Sequence, residues 1–526
     1  MTKNNKYSDL ILFVYVFFFY ISIDGFYAIE RFKSIGINAQ GNLSIQEYFR
    51  HFIYIFEYIL AVFFIFTCTK IKFKYSFPLI FLVFIAILID LIVFKIQGSP
   101  ASLSNISNLN GAIGNLRNVL QEFRITILES IFVTTFLFIP IIIKSATCKT
   151  IKKSNIRNCF FSFLIISGIY VATLITRGEP ALIGFPKGFS YAFGSVTLKI
   201  NELVSPPIEY SLNRYDNFPN TEVDKIILII DESIEYQTFR RLSDEQKFLR
   251  VIDYGIAYSG SNCSASSNYI LRRASWLKIE NRTNLIFEVE SLFSLAKKNH
   301  YRTVYLDNQN VLNDPTVKNY FNKEEVSKID HIISPINEAY KRDFAALNKL
   351  NELIKTKGKI FIIMNKYGSH FPYDLTLHPN ERSFDKIDNY KKSVKRNSVE
   401  YLIELSKIAD KHTLVFYTSD HGQNLFGRTS HCNVGTQIDK SEFEVPFLVL
   451  TGNDEVFKFL NAKKNLFKNK ISHLQISESV RNAIGFELKG LGSIIKETKH
   501  ENMNFCPLYG SPKPIFGIYP KCFQVE

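Results

Sequence analysis

Long apolar runs fill the first third of this chain and then stop. Five stretches, Leu10 to Ala28, Ile53 to Cys68, Phe77 to Ile96, Ile125 to Ile143 and Cys159 to Thr176, approach the roughly 20 residues that cross a hydrocarbon core of about 30 Å. None carries an amphipathic polar face, and five in series predict membrane spans rather than buried core helices. Residues Arg177 to Asn220 are punctuated by Pro and Gly, show no strong period, and read as a connecting segment. From Lys225 onward, short apolar runs alternate with longer polar, helix-like stretches, the signature of a mainly parallel sheet between helices. Strands are predicted at Lys225 to Asp231, Thr303 to Asp307, Lys359 to Asn365, Thr413 to Asp420 and Pro446 to Gly452. The expected organisation is a five-helix transmembrane domain over 1–176, a connection over 177–220 and an α/β domain over 221–526.

Composition sharpens this picture where the charges sit. The chain has 526 residues and a formal net charge of +14. Lys3 and Lys6 precede the first span; Lys70, Lys72 and Lys74 lie between the second and third; Lys144, Lys149, Lys152, Lys153 and Arg157 lie between the fourth and fifth. These are alternate connections, so the positive-inside rule places the N-terminus in the cytoplasm and everything after the fifth span, including the α/β domain, outside. The basic excess is then a topology signal or a contact with anionic headgroups, and nucleic acid is not an expected partner. The 48 Phe and 27 Tyr belong with spans, interfacial anchors and core rather than with a base-stacking platform. Cys263, Cys432, Cys506 and Cys522 fall in the outer part, where disulfides persist. Cys506 and Cys522 bracket a Pro/Gly-rich tail and are candidates for a bridge, free thiols being the alternative.

Candidate chemistry gathers after the predicted strands. In open α/β sheets, ligands bind beyond the carboxyl ends of the strands. There the sequence places Asp231 and Glu232, Asp307 and Asn308, His370, and Asp420 and His421. Any one alone would read as a helix cap or turn residue. Together, carboxylates and imidazoles form the donor set of a Zn²⁺-type site. Asp420-His421-Gly422 is the sharpest piece, because adjacent ligands need a tight turn that Gly permits.

Six motifs in order carry a family resemblance: IIDES ending in Glu232 and Ser233, SNCSASSN (Ser261 to Asn268), DNQ (Asp307 to Gln309), GSHFPY (Gly368 to Tyr373), SDHG (Ser419 to Gly422), and His431 ahead of EVPFLVL. The chain resembles the bacterial phosphoethanolamine transferases of the alkaline phosphatase and sulfatase superfamily over nearly its whole length. The resemblance implies a sulfatase-like fold for the α/β domain and a catalytic Zn²⁺ held by Glu232, Asp420, His421 and Ser264. Ser264 would also be the nucleophile, with Ser266 and Ser267 as neighbouring alternatives. His370 and His431 would contact the phosphoryl group, protonate a leaving group or hold a second divalent ion. Asn118, in RNVLQEF before the fourth span, and Asn308 would bind substrate. The implied reaction moves phosphoethanolamine from phosphatidylethanolamine to lipopolysaccharide (lipid A or a core sugar) or another envelope acceptor, through a covalent phosphoserine, in a monomer.

Two departures bear on this reading: Asp231 stands where the family has Gly, and Ser264 where it has Thr. Asp231 would bind a second cation or point away as a cap. A phosphoglycerol transferase shares the layout and is the competing enzyme. A sulfatase needs Pro and Arg after its nucleophile, and Cys263-Ser264-Ala265-Ser266-Ser267 has neither. An inactive, envelope-binding domain is the non-enzymatic alternative.

Overall fold

The apolar runs fold as helices α1 (Lys3–Ser34), α2 (Ile45–Cys68), α3 (Phe73–Gln97), α4 (Arg124–Ala146) and α5 (Lys153–Arg177). The structure, a computed structural model, describes residues 3–524 except 35–44, 98–119, 121–122, 149–151, 178–184, 205–207, 217, 219–221, 244–247, 275, 281–282, 310–320, 322, 335–337, 428–429, 434–437, 497–503 and 506–522. Among the described residues, Phe73–Ile96, Arg124–Ala146 and Lys153–Ala172 are each long and apolar enough to cross a membrane. The first two helices contribute shorter apolar stretches, Tyr7–Ile23 and Ile55–Cys68.

The described residues before Ser205 form one compact unit and those from Pro206 onward a second. Within the first, small and polar side chains sit where helices meet, as close backbone approach in a bilayer favours. Ser76 of α3 and Ser145 of α4 share a hydrogen bond of 2.6 Å, and the Cys68 and Cys159 sulfurs are 3.5 Å apart. Asp9 pairs with Lys70 and also with Lys144 (2.9 Å). That carboxylate gathers the start of α1, the α2–α3 turn and the end of α4 on one face, the grouping that alternate basic connections require. The Pro/Gly-punctuated connection contains a helix the weak period did not announce, α6 (Phe189–Val204). It is tied to α3 by Asp90, whose Oδ2 accepts from Gly188 N and Ser190 Oγ, both at 2.9 Å.

The main sheet of the second unit has eight strands: β1 (Lys225–Asp231), β2 (Val251–Tyr258), β3 (Arg302–Asp307), β4 (His331–Ile333), β5 (Ile360–Asn365), β6 (Thr413–Ser419), β7 (Glu444–Thr451) and β8 (Ile471–Ser472). Their spatial order is β8-β2-β7-β6-β1-β5-β3-β4. The block β6-β1-β5-β3-β4 is parallel throughout. β7 runs against both β6 and β2, so the sheet is mixed. Central strand β1 is buried along its whole length, with Ile226, Leu228 and Ile230 packed into one layer and Ile227 and Ile229 into the other. Burial on both faces is why it reads as a continuous apolar run instead of an alternating one. Strand β2 escaped the pattern because Asp253 and Gly255 interrupt it, and β4 and β8 are too short to show a period.

Truncating the centre of β1 tests this core. Leu228→Ala should destabilise the chain by about 2–5 kcal/mol, whereas Phe426→Ala, at a residue 89 % exposed, should stay within about 0.5 kcal/mol. Thermal melts of the detergent-solubilised chain would show a large Tm drop for the first and none for the second.

Candidate metal and phosphoryl-transfer site

Strand register decides which side chains meet. Ser419 of β6 lies beside Asp231 of β1, Ile230 of β1 beside Asn365 of β5, and Asn365 beside Asp307 of β3. Four adjacent parallel strands therefore end level, and the residues leaving them share one edge: Asp420 and His421, Glu232, Lys366 to His370, and Asn308 and Gln309. Ser264 arrives from a different direction, as the first residue of helix α7 (Ser264–Arg273) after β2.

At this edge the ligand atoms of Glu232, Asp420 and His421, all buried, lie within 4.8 Å of one another. His421 Nδ1 is 2.7 Å from the Gly422 carbonyl. A carbonyl only accepts, so Nδ1 carries the proton and Nε2 presents its lone pair. That lone pair faces Ser264 Oγ at 3.1 Å, Asp420 Oδ2 at 3.5 Å and Glu232 Oε1 at 3.6 Å. Ser264 Oγ is also 3.5 Å from Glu232 Oε1. Asp420 Oδ1 accepts from Ser233 N (3.0 Å) and His421 N (2.7 Å), while its buried Oδ2 accepts no hydrogen bond. A lone-pair nitrogen, a carboxylate oxygen without a donor and a second carboxylate, converging in a buried space, fit a divalent cation with mixed N and O donors.

The electrostatics agree. Burial first, and the neighbouring Glu232 carboxylate second, push Asp420 up to about 7. Burial likewise raises Glu232 above the usual carboxylate range. Two adjacent buried anions without a cation retain protons, and a cation removes the reason to.

A second layer fixes these ligands. Ser233 Oγ donates to Glu232 Oε1 (2.6 Å) and Gln309 Nε2 to Glu232 Oε2 (2.8 Å). Asp231 points away from the cluster. Its Oδ1 accepts from Glu232 N (2.9 Å), and its Oδ2 accepts from Lys366 Nζ (2.7 Å), Ser398 Oγ (2.9 Å) and the Tyr417 hydroxyl. The departure at this position is thus a buried ion pair beneath the site, and the extra carboxylate is spent on lysine. Gly368 is needed beside it: φ is +53°, and a Cβ would come within 2.3 Å of Asp231 Oδ1. Gly422 is required for a reason other than turn conformation, since its Cβ would stand 1.9 Å from the Ser441 carbonyl oxygen.

The remaining sequence candidates divide. The His431 ring stacks on His421 with centroids 4.3 Å apart, and His370 Nδ1 donates to the Phe371 carbonyl (2.5 Å). Burial and repulsion from His421, His370 and Lys386 hold His431 well below the usual imidazole range, and burial lowers His370. Both are therefore neutral near pH 7. Asn308 is buried with its amide donating to Asp343 Oδ1 (2.8 Å), so it braces the loop, and Gln309 is the residue that reaches Glu232. Asn118, Cys506 and Cys522 lie outside the described residues. Cys263 and Cys432 form a disulfide, a pairing the sequence did not single out because 169 residues separate the two. Gln309, Ser233, Asp343 and Lys366 were also missed. Ser233 and Gln309 lie within quoted motifs and Lys366 directly follows a predicted strand, whereas α8 (Ala339–Ile354), which carries Asp343, contains no such signal.

Residues 236–476 match the family model described as Sulfatase. The chain is 23% identical over 316 residues to phosphoethanolamine transferase EptC of Escherichia coli, an alignment taking in 53% of this chain and 54% of that protein. It is also 23% identical over 317 residues to phosphoethanolamine transferase CptA of Salmonella typhimurium, with the same coverage. The chain thus spans about half the length of these curated relatives. Among solved structures, it superposes on the integral membrane lipooligosaccharide phosphoethanolamine transferase A (EptA) from Neisseria meningitidis with a TM-score of 0.61 at 13% identity, covering 90% of this chain and 95% of that one. The stretch that matches the Sulfatase model thus includes Ser264, Asp420 and His421, with Glu232 just before it, and the chain as a whole shares the fold of the EptA structure.

Proposed function

We propose that this protein is a Zn²⁺-dependent phosphoethanolamine transferase of the bacterial inner membrane, with the site on the periplasmic side. The observation that carries this reading is the Ser264 hydroxyl 3.1 Å from His421 Nε2, against the buried Glu232–Asp420–His421 cluster. The relatives named for this activity and the apolar helices favour a phospholipid donor, phosphatidylethanolamine, and a lipopolysaccharide-type acceptor. Helices long and apolar enough to cross a membrane would bring the site to a donor and acceptor that both lie in the bilayer.

Glu232, Asp420, His421 and Ser264 would hold the cation. Bound there, it would polarise the phosphoryl oxygens and lower the pKa of the serine hydroxyl. Ser264 Oγ attacks phosphorus, forming the serine–phosphorus ester as the bond to the diacylglycerol oxygen breaks. An acceptor hydroxyl then displaces the serine and regenerates it. Ser264 opens α7, so the positive end of the helix dipole faces the place where phosphoryl oxygens would sit. In their neutral form, His370 and His431 accept the proton that an attacking hydroxyl loses and return it to the departing oxygen.

Ser264→Ala should abolish the covalent intermediate. Brief incubation with phosphatidylethanolamine, acid quench and peptide mass spectrometry should find one phosphoethanolamine on residues 261–268 of the parent chain and none on the variant. Modification of the variant at Ser266 or Ser267 would overturn the assignment. Labelling from phosphatidylglycerol in place of phosphatidylethanolamine would make the chain a phosphoglycerol transferase.

The raised Asp420 gives a pH signature for the metal. A carboxylate raised from 3.8 to about 7 favours the folded state while protonated, and that contribution drains away as pH rises from about 4 to about 7. Zn²⁺ competes with the same proton. The Tm gain on adding Zn²⁺ to chelator-stripped protein should therefore be larger at pH 8 than at pH 5.5. An equal gain at both values, or a gain that survives Asp420→Asn, would place the metal elsewhere.

A further inference from the structure

The Cys263–Cys432 disulfide joins the residue before Ser264 to the residue after His431, with Cα atoms 5.0 Å apart. We infer that this bridge is a redox-sensitive positioning element that holds the serine turn and the His431 loop in register, so that a dithiol opening it uncouples transfer while leaving the metal cluster assembled. For its kinetic consequence this rests on the proposed function; its structural consequence does not.

The two sides of the bridge differ in how else they are held. Glu232, Asp420 and His421 leave adjacent strands of the central sheet, whose ladder continues to Ser419 beside Asp231. Ser233 N, Ser233 Oγ and Gln309 fix their oxygens without reference to either cysteine. His431 sits in a loop. Asn424 N bonds Ser430 O at 2.6 Å, Cys432 takes a left-handed backbone with φ +58°, and Cys432 N donates to Asn262 O at 2.9 Å. Asn262 reinforces the same junction, its amide donating to Asn433 O (2.9 Å) and Glu442 Oε2 (2.8 Å). Each of these bonds is an ordinary one with a modest net contribution. The disulfide instead closes a 169-residue separation covalently.

Across this junction the His431 ring lies 4.3 Å from His421, which faces the Ser264 oxygen. Opening the bridge needs two electrons and two protons. A dithiol supplies both, is itself oxidised to a disulfide, and leaves thiols on Cys263 and Cys432. An oxidising compartment keeps the bridge closed, which makes assembly of the serine–His431 pair conditional on export.

The test uses the full, Zn²⁺-loaded chain in detergent. Peptide mapping without reductant should recover Cys263 linked to Cys432. After treatment with dithiothreitol and its removal by gel filtration, amide hydrogen exchange should speed up at Asn424 and Cys432 and stay unchanged in β1 and β6. Zinc content should not change. Turnover of phosphatidylethanolamine should fall about 100-fold in kcat, the scale of a 1 Å misplacement, with KM unchanged, and reoxidation should restore it. A C263A/C432A chain should start at the reduced level and ignore dithiothreitol. Free thiols at both positions, unchanged exchange in the loop, or zinc leaving with the reduction would each overturn the inference. If neither redox state turns over lipid, the proposed function fails while the exchange result still decides the role of the bridge.

Discussion

Two carboxylates, Glu232 and Asp420, are buried side by side at the end of a parallel sheet, and the rest of the second unit is arranged around that unfavourable fact. Among the described residues, no lysine or arginine forms an ion pair with either. Hydrogen-bond donors take one oxygen of Asp420 and leave the other without a partner, while His421 aims a lone pair at the same space. Left alone, such a pair keeps protons; opposite a divalent cation it becomes the strongest binding element in the fold. The continuous apolar strands, the level strand ends and the close approach that requires Gly422 all serve to hold these groups where water is scarce.

Beneath them sits a second buried charge problem with a different answer. Asp231 is ionically paired with Lys366, whose Nζ also lies 4.0 Å from the centre of the Tyr401 ring. Buried ion pairs contribute little net stability, yet removing one partner costs much because the other is stranded. Their value here is placement. Asp231 holds the Glu232 amide, Lys366 precedes the Gly368–His370 turn, and Asn397 O and Ser398 from the neighbouring helix close the network. Asp231 is thus the joint between the Glu232 backbone and the strand that leads into the His370 loop.

Legibility of the sequence followed physical cause. Helices α1 to α5 and β1, β3, β5, β6 and β7 were readable because burial on both faces, or immersion in lipid, demands long uninterrupted apolar runs. Cluster members Glu232, Asp420 and His421 were readable because parallel strands deliver whatever follows them to one edge. What did not show was anything set by tertiary contact. Asn308 and Gln309 are adjacent and chemically alike, and only the position of Asp343 on α8 determines that the first braces the loop while the second reaches Glu232. β2 was hidden by polar interruptions that the ladder tolerates, and β7 reads like its neighbours although it runs the other way.

The choice of serine at 264 can be weighed on the same terms. A β-branched residue has its side chain fixed by its own backbone, so a threonine nucleophile is aimed by its rotamer. Serine lacks that restriction, and its hydroxyl must be aimed from outside. In this chain the aiming groups are His421 Nε2, Glu232 Oε1 and the helix turn that Cys263 begins. The covalent link from Cys263 to the His431 loop anchors that turn at a position where side-chain branching cannot. A serine at the head of α7 and a disulfide on the residue before it are adjacent features of one turn, the bridge restraining the backbone that carries a side chain with no β-branch of its own.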